Sequence, residues 1–147
     1  MITISPVETQ DFDRLYAIEQ VAHAVPWSFG TLKNNQGERY LNLKIGEYDE
    51  IYGFAICQTV LDEATLFNIA VDPKKQGLGL GRQLLTELMA QLKQQGILTL
   101  WLEVRESNKK AQALYDSLGF NQVDVRKNYY PTADGKWENA VVMAAYL

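Results

Sequence analysis

Hydrophobic residues along this chain switch between a helical and an alternating period, and the switches mark its elements. Alternation at residues 2–5 predicts a short first strand. Phe12, Leu15, Ile18 and Ala22 then recur at helical spacing, with Glu8, Asp11 and Asp13 near the start, where the positive end of a helix dipole favours acids. Pro26 halts that pattern, and residues 27–35 predict a second short helix. Residues 40–46 alternate Leu41, Leu43 and Ile45 against Asn42 and Lys44, which reads as a strand. The β-branched and aromatic runs 52–60 and 64–71 predict two more, joined by a turn at Leu61, Asp62 and Glu63.

Leu80, Leu84, Leu88 and Leu92 form one stripe of a helix over residues 79–95, stopped by Gly96. Residues 98–104 read as a strand. Ser107 or Asn108 caps a further helix that turns Ala111, Leu114, Tyr115 and Leu118 inward and ends before Gly119. Strands at 120–127 and 140–146 close the chain. The predicted order is β-α-α-β-β-β-α-β-α-β-β, an α+β layout around one sheet. No linker, repeat or low-complexity tract divides it, so residues 1–147 are expected to form a single domain.

Composition narrows the function. A net charge of −4 argues against non-specific nucleic-acid binding, which needs a basic surface. Cys57 is the only cysteine and lies in an apolar run, where a buried, inert thiol and a reducing compartment are expected. The N-terminus lacks signal-peptide character, and no apolar run approaches the ~20 residues that span a bilayer. A cytoplasmic protein, monomeric and not bound to membranes, is the expectation. His23 is the only histidine and has no evident acidic partner, so a structural role is expected. One histidine and one cysteine leave no recognisable metal-ligand spacing.

The most informative stretch runs from Ile69, Ala70 and Val71 to Gln76-Gly77-Leu78-Gly79-Leu80-Gly81-Arg82, a strand, a glycine-rich turn and a helix start in succession. Such a turn exposes N–H groups without side chains in the way, and the helix adds its own orphan donors, which suits a phosphate. A P-loop would need Gly-Lys-Ser/Thr, and a dinucleotide turn Gly-x-Gly-x-x-Gly; neither frame fits. A tight connection with no ligand remains open on these residues alone.

Gln76 to Gly81 resembles the pyrophosphate loop of the GNAT superfamily of N-acetyltransferases. Other landmarks stand at matching distances: Asn68 to Val71, Leu102-Glu103-Val104-Arg105, Ser107-Asn108 and Ala113 to Phe120. Residues 35–43, 60–68 and 128–132 are similar to the branch whose members acetylate the N-terminal alanine of the eighteenth small-subunit ribosomal protein. Where that branch carries a short Glu-Asp-Ala after its loop glycine, Gly135 is followed by Lys136-Trp137-Glu138-Asn139-Ala140. The resemblance implies a mostly antiparallel central sheet flanked by helices and acetyl-CoA as acyl donor. It implies that Ile69, Ala70, Val71, the residues from Gln76 to Arg82 and Asn108 bind the coenzyme, that a ribosomal-protein N-terminal peptide is the acceptor, and that no metal takes part.

Acetyl transfer requires an unprotonated amine. At pH 7 an N-terminal amine is about 10–15% free base, a lysine roughly 0.04%. A base must collect a proton and an acid must supply one to the departing thiolate. Alternation in residues 98–105 sets Leu98, Leu100, Leu102 and Val104 on one face and Thr99, Trp101, Glu103 and Arg105 on the other. By pattern alone Glu103 is a solvent-facing partner of Arg105; by resemblance it is the base. Tyr115 reads as a core tyrosine by pattern and as the acid by resemblance, and Asn108 as a helix cap, a coenzyme contact, or both. Tyr129, Tyr130 and Pro131, in a loop between the last strands, and residues 37–40 are candidate acceptor walls. Glu38, Glu63 and Glu138 are candidate partners for a basic peptide. The same machinery would serve another protein N-terminus, a lysine or a small amine. A non-catalytic acyl-CoA-binding module would keep the loop and need neither Glu103 nor Tyr115.

Overall fold

A computed structural model describes all of residues 1–147. One seven-stranded sheet runs β1 (Ile2–Pro6), β2 (Leu43–Glu47), β3 (Glu50–Val60), β4 (Glu63–Val71), β5 (Thr99–Arg105), β7 (Trp137–Tyr146), β6 (Asn121–Pro131) in spatial order. Every neighbouring pair is antiparallel except β4 and β5. Helices α3 (Leu80–Gln94) and α4 (Lys109–Ser117) cover one face, and α1 (Phe12–Ala22) with α2 (Phe29–Asn34) covers the other. This is the mixed, mostly antiparallel α+β sheet that the sequence resemblance implies.

The α3 stripe works as its spacing predicts. Leu84, Leu85, Leu88 and Leu92 are fully buried against Leu100 and Leu102 of β5 and Val141 and Met143 of β7. Each such side chain contributes about 1.5–3 kcal/mol by leaving water. On the opposite face Phe12, Leu15, Ile18 and Leu32 pack on Phe54, Ile56 and Ala70. Ser28 starts α2 by accepting from the Thr31 N–H at 3.1 Å. No helix is long and apolar enough to cross a membrane.

Three expectations need correction. Leu98 precedes β5 and is 57% exposed, so the buried face of that strand is Leu100, Leu102 and Val104 alone. Residues 40–42 form no strand beyond an isolated bridge from Tyr40 to Gln58, and β2 begins at Leu43. The last hairpin is longer than expected: β6 reaches Pro131 and β7 starts at Trp137. Tyr129, Tyr130 and Pro131 therefore lie in a strand, paired through Tyr130↔Glu138 and Pro131↔Trp137. As an edge strand β6 is solvated along nearly its whole length, so it lacks the alternation that reveals a half-buried strand.

Two irregularities open the sheet. Register shifts between Ile56 and Cys57 leave Phe67 of β4 without a partner, a β-bulge. Ahead of it Ala64 and Leu66 face the α3 side; beyond it Ala70 faces α1, while Ile69 and Val71 pack toward α3. The β4–β5 pairing also ends there, at Leu66↔Leu102. Past that point β4 bonds only β3 and β5 only β7, so the two strands part.

Candidate active site

The parted strands border a cleft of about 1180 Å³. That exceeds the ~300–1,000 Å³ of an ordinary small-molecule pocket and leaves room for a donor and an acceptor together. Its lining draws on the ends of β4 and β5, the glycine turn, α4, and the segment after α1.

The glycine turn sits where β4 feeds α3. Gly77 and Gly79 hold φ of 82° and 77°, the left-handed region that side chains resist, and open space lies where their side chains would stand. The Gln76 side chain braces the turn by donating to the Val71 carbonyl at 3.0 Å. Asp72 accepts from the Lys74 N–H at 3.0 Å and pairs with Arg14 of α1 at 2.9 Å. No main-chain carbonyl accepts from the N–H groups of residues 77–82; the ladder starts with Gln83 donating to Gly79 at 3.0 Å. Exposed donors at a helix N-terminus are the chemistry that a diphosphate needs.

Ile69, Ala70, Val71, Gln76, Gly77, Gly79, Leu80, Gly81, Arg82 and Asn108 all line this cleft. Leu78 does not: its side chain is 64% exposed, and only its main chain remains to serve a ligand. Arg82 donates to the Ser117 hydroxyl at 2.9 Å, tying α3 to α4. Asn108 is the α4 cap, its Oδ1 accepting from the Ala111 N–H at 3.1 Å, which leaves its Nδ2 as a spare donor.

Glu103 and Tyr115 face the same cleft from β5 and α4. The Glu103 neighbour differs from expectation. Arg126 of β6, not Arg105, approaches it, with Nε 3.0 Å from Oε2. That contact is an ion pair without hydrogen-bond alignment, so the buried Oε2 keeps an unfilled acceptor position. Arg105 turns instead to the Pro131 carbonyl at 2.8 Å, Glu138 at 3.2 Å and the Tyr130 ring at 4.6 Å. Tyr115 is 6% exposed and packs on Phe120, and burial pushes its phenol up to about 12. Burial, reinforced by the Glu103 carboxylate, pushes Tyr130 up to about 12 as well. Both phenols therefore hold their protons at neutral pH.

The candidate acceptor contacts divide. Tyr130 and Pro131 line the cleft, whereas residues 37–40 do not; Tyr40 donates to Asn35 at 3.0 Å instead. Glu63 accepts from the Trp101 indole at 3.1 Å, at the paired end of β4 and β5 and away from the cleft. Glu38 is likewise outside the lining. Glu138 is committed to Arg105 and to the Ser107 N–H at 3.0 Å. Burial raises its carboxyl, but the hydrogen bonds from Ser107 and Arg105 outweigh that, and the net position is below the usual range. Cys57 is fully buried outside the cleft, its thiol pushed up to about 12 by burial, which leaves it unreactive.

Sequence reasoning missed the wall of the cleft beside α1. His23 does have an acidic partner: its Nε2 lies 3.5 Å from Glu19 Oε1 and 3.0 Å from Asn68 Oδ1. Glu19, 1% exposed, accepts from Asn68 Nδ2 at 2.8 Å and from the Trp27 N–H at 3.0 Å. All four residues line the cleft. The available signal was Glu19 itself, a carboxylate on the apolar stripe with Leu15, Ile18 and Ala22.

Comparison with known proteins agrees with this geometry. Residues 7–120 match the model of the acetyltransferase (GNAT) family. The chain is 68% identical over its full length, and the full length of the relative, to the ribosomal protein bS18-alanine N-acetyltransferase of Haemophilus influenzae. It is 58% identical to that of Escherichia coli K12, over 98% of this chain and 97% of the relative. The crystal structure of the Escherichia coli ribosomal-protein alanine N-acetyltransferase superposes with a TM-score of 0.95 at 57% identity, covering 99% of this chain and 94% of that one.

Proposed function

Because this chain belongs to the GNAT family of acetyltransferases, we propose that it acetylates the N-terminal alanine of ribosomal protein bS18, with acetyl-CoA as donor, Glu103 as base and Tyr115 as acid. One observation carries the reading: a buried carboxylate oxygen with an unfilled acceptor position shares a cleft with the unpaired amides of residues 77–82. The donor supplies a thioester carbonyl open to attack by an amine. The amides and the dipole of α3 hold its diphosphate, and the spare Nδ2 of Asn108 adds a donor near the α4 start.

Glu103 Oε2 receives the amine proton, directly or through one water. Tyr115 gives its proton to the leaving thiolate. Burial keeps the phenol protonated until the thiolate forms, and the same dry surroundings would raise the thiolate's own affinity for a proton, which brings donor and acceptor closer in strength. Tyr130 and Pro131 stand beside Glu103 as part of the acceptor's path. An N-terminal amine suits a site with a single carboxylate base, since deprotonating a lysine would ask about 3.5 kcal/mol more at neutral pH.

The test incubates the protein with acetyl-CoA and a peptide carrying the bS18 N-terminus, read by mass spectrometry. The expected result is a gain of one acetyl group at the α-amine, and none when that amine is blocked. Turnover of a polyamine with none of the peptide would replace the proposed acceptor. Coenzyme binding without transfer to any amine would replace catalysis by a binding role.

A further inference from the structure

Glu19 is a buried carboxylate that the proposed chemistry does not use. It is 1% exposed, no lysine or arginine pairs with it, and neutral groups of two other segments satisfy it. Oε2 takes the Trp27 N–H, in the segment that follows α1. Oε1 takes Asn68 Nδ2, one residue past the Phe67 bulge. A carboxylate only accepts, so the Asn68 amide must turn its NH₂ toward Glu19 and its carbonyl toward His23. The carbonyl then requires a proton on His23 Nε2, 3.0 Å away. The polarity of the whole chain is thereby fixed: His23 donates to Asn68, Asn68 donates to Glu19, and Trp27 donates to Glu19.

These bonds join α1, the released half of β4 and residues 23–27, all of which border the cleft that Glu103 and Tyr115 also line. The glycine turn has braces that do not pass through Glu19, Gln76 to Val71 and Asp72 to Arg14 of α1. We infer that Glu19 is a positioning residue, latching the acceptor-side wall through Asn68 and Trp27 while leaving the coenzyme-binding turn untouched. What the latch needs is the order of donors and acceptors, not a negative charge at position 19. This inference rests on the acetyl-transfer reading.

Asn68→Asp keeps the size but sets its carboxylate against that of Glu19, two acceptors that no rotation can reconcile. Adding Glu19→Gln supplies the missing donor. The new amide at position 19 then donates to the new carboxylate at position 68 and still accepts from Trp27. That carboxylate in turn accepts from His23. The experiment measures KM for the alanine-starting peptide, KM for acetyl-CoA and thermal stability in wild type, Glu19→Gln, Asn68→Asp and the double variant. Asn68→Asp should raise the peptide KM about tenfold or more, the effect of one misdirected buried hydrogen bond, with acetyl-CoA KM within about twofold. Glu19→Gln alone should stay within about threefold, because the Asn68 amide can turn its carbonyl to the new NH₂ while His23 takes its other tautomer. The double variant should return the peptide KM to within about threefold of wild type, which a merely structural role for the charge would not produce.

A wild-type peptide KM in Asn68→Asp, or equal losses toward both substrates, would overturn the latch. So would a folded double variant with the peptide KM still raised, and this arm decides even if Asn68→Asp does not fold. Absence of transfer by the wild type is a different failure, that of the underlying reading.

Discussion

On the α3 side of the cleft the groups available to a ligand are main-chain amides from residues contiguous in the chain. On the α1 side they are side chains brought together from afar, Asn68 reaching Glu19 across 49 positions and His23 across 45. The first wall depends on backbone conformation at Gly77 and Gly79 and is indifferent to most neighbouring side chains. The second depends on the identity of each side chain and on the register of β4 after its bulge. Glu103 and Tyr115 stand between them, carried by β5 and α4. In the proposed reaction a donor of fixed chemistry would meet the wall made of backbone and the acceptor the wall made of side chains, where substitution could alter selectivity without loss of the donor site.

Removing the groups between the walls should have the largest effect. Glu103→Gln deletes the proposed proton acceptor but preserves shape, and Tyr115→Phe deletes the proposed donor from a well-packed ring. Each should lower turnover at least ~10²-fold with coenzyme A affinity within about twofold. Steady-state kinetics with calorimetric coenzyme titration checks both. Wild-type turnover in either variant removes that residue from the mechanism; a parallel loss of coenzyme affinity would place it in the binding wall.

Next in size is the backbone wall itself. Gly79 caps α3 at φ 77° with open space before it. Gly79→Ala costs about 1–2 kcal/mol of left-handed strain and sets a methyl in the open space that the turn borders. Coenzyme A should bind about tenfold more weakly while peptide KM at saturating donor stays near wild type. Equal damage to both substrates would mean that the walls are not independent.

How legible each wall is in the sequence follows from its construction. The span Gln76 to Arg82 is one local pattern, and its glycines report the backbone directly. The bulge also left a trace: apolar positions run Ala64, Leu66, then Ile69, Val71, skipping one step at Phe67. The trace gives no hint of a cleft, because the cleft exists only where β5 stops pairing at Leu102, far along the chain. Partner choice was equally hidden. Arg105 is two residues from Glu103, on the same side of β5, yet the β5–β7–β6 register delivers Arg126 to Glu103 and Glu138 to Arg105. Edge strand β6 looks shorter in the sequence than it is because solvent, not core, determines its side chains.

A smaller effect is expected where the walls touch. Arg14 of α1 reaches Asp72 beside the glycine turn. Asp72 is held below the usual carboxylate range by the Lys74 N–H and then by Arg14. A carboxyl depressed in the folded state adds stability above its unfolded value, and that addition is lost as pH falls through the folded one. Asp72→Asn should therefore cost about 1 kcal/mol at pH 7, with the difference from wild type fading below about pH 4. Urea melts across that range check the sign. A difference constant down to the acid limit would show that the carboxylate's charge contributes nothing.

The smallest effect should come from the residue that most sharply separates the two kinds of wall. Leu78 stands at the centre of the glycine turn, flanked by left-handed Gly77 and Gly79, yet its side chain is 64% exposed and outside the cleft lining. If the turn acts through amides, Leu78→Ser leaves coenzyme A affinity within about twofold and barely changes stability, since an exposed side chain far from special backbone features contributes within about 0.5 kcal/mol. Leu78→Pro has the opposite expectation, because it removes one N–H from the run and fixes φ near −65° between two glycines; coenzyme affinity should fall at least tenfold. Calorimetric titration of the pair reads backbone against side chain at one position. Equal affinities in the two variants would mean that the diphosphate is not held by the main chain of this turn.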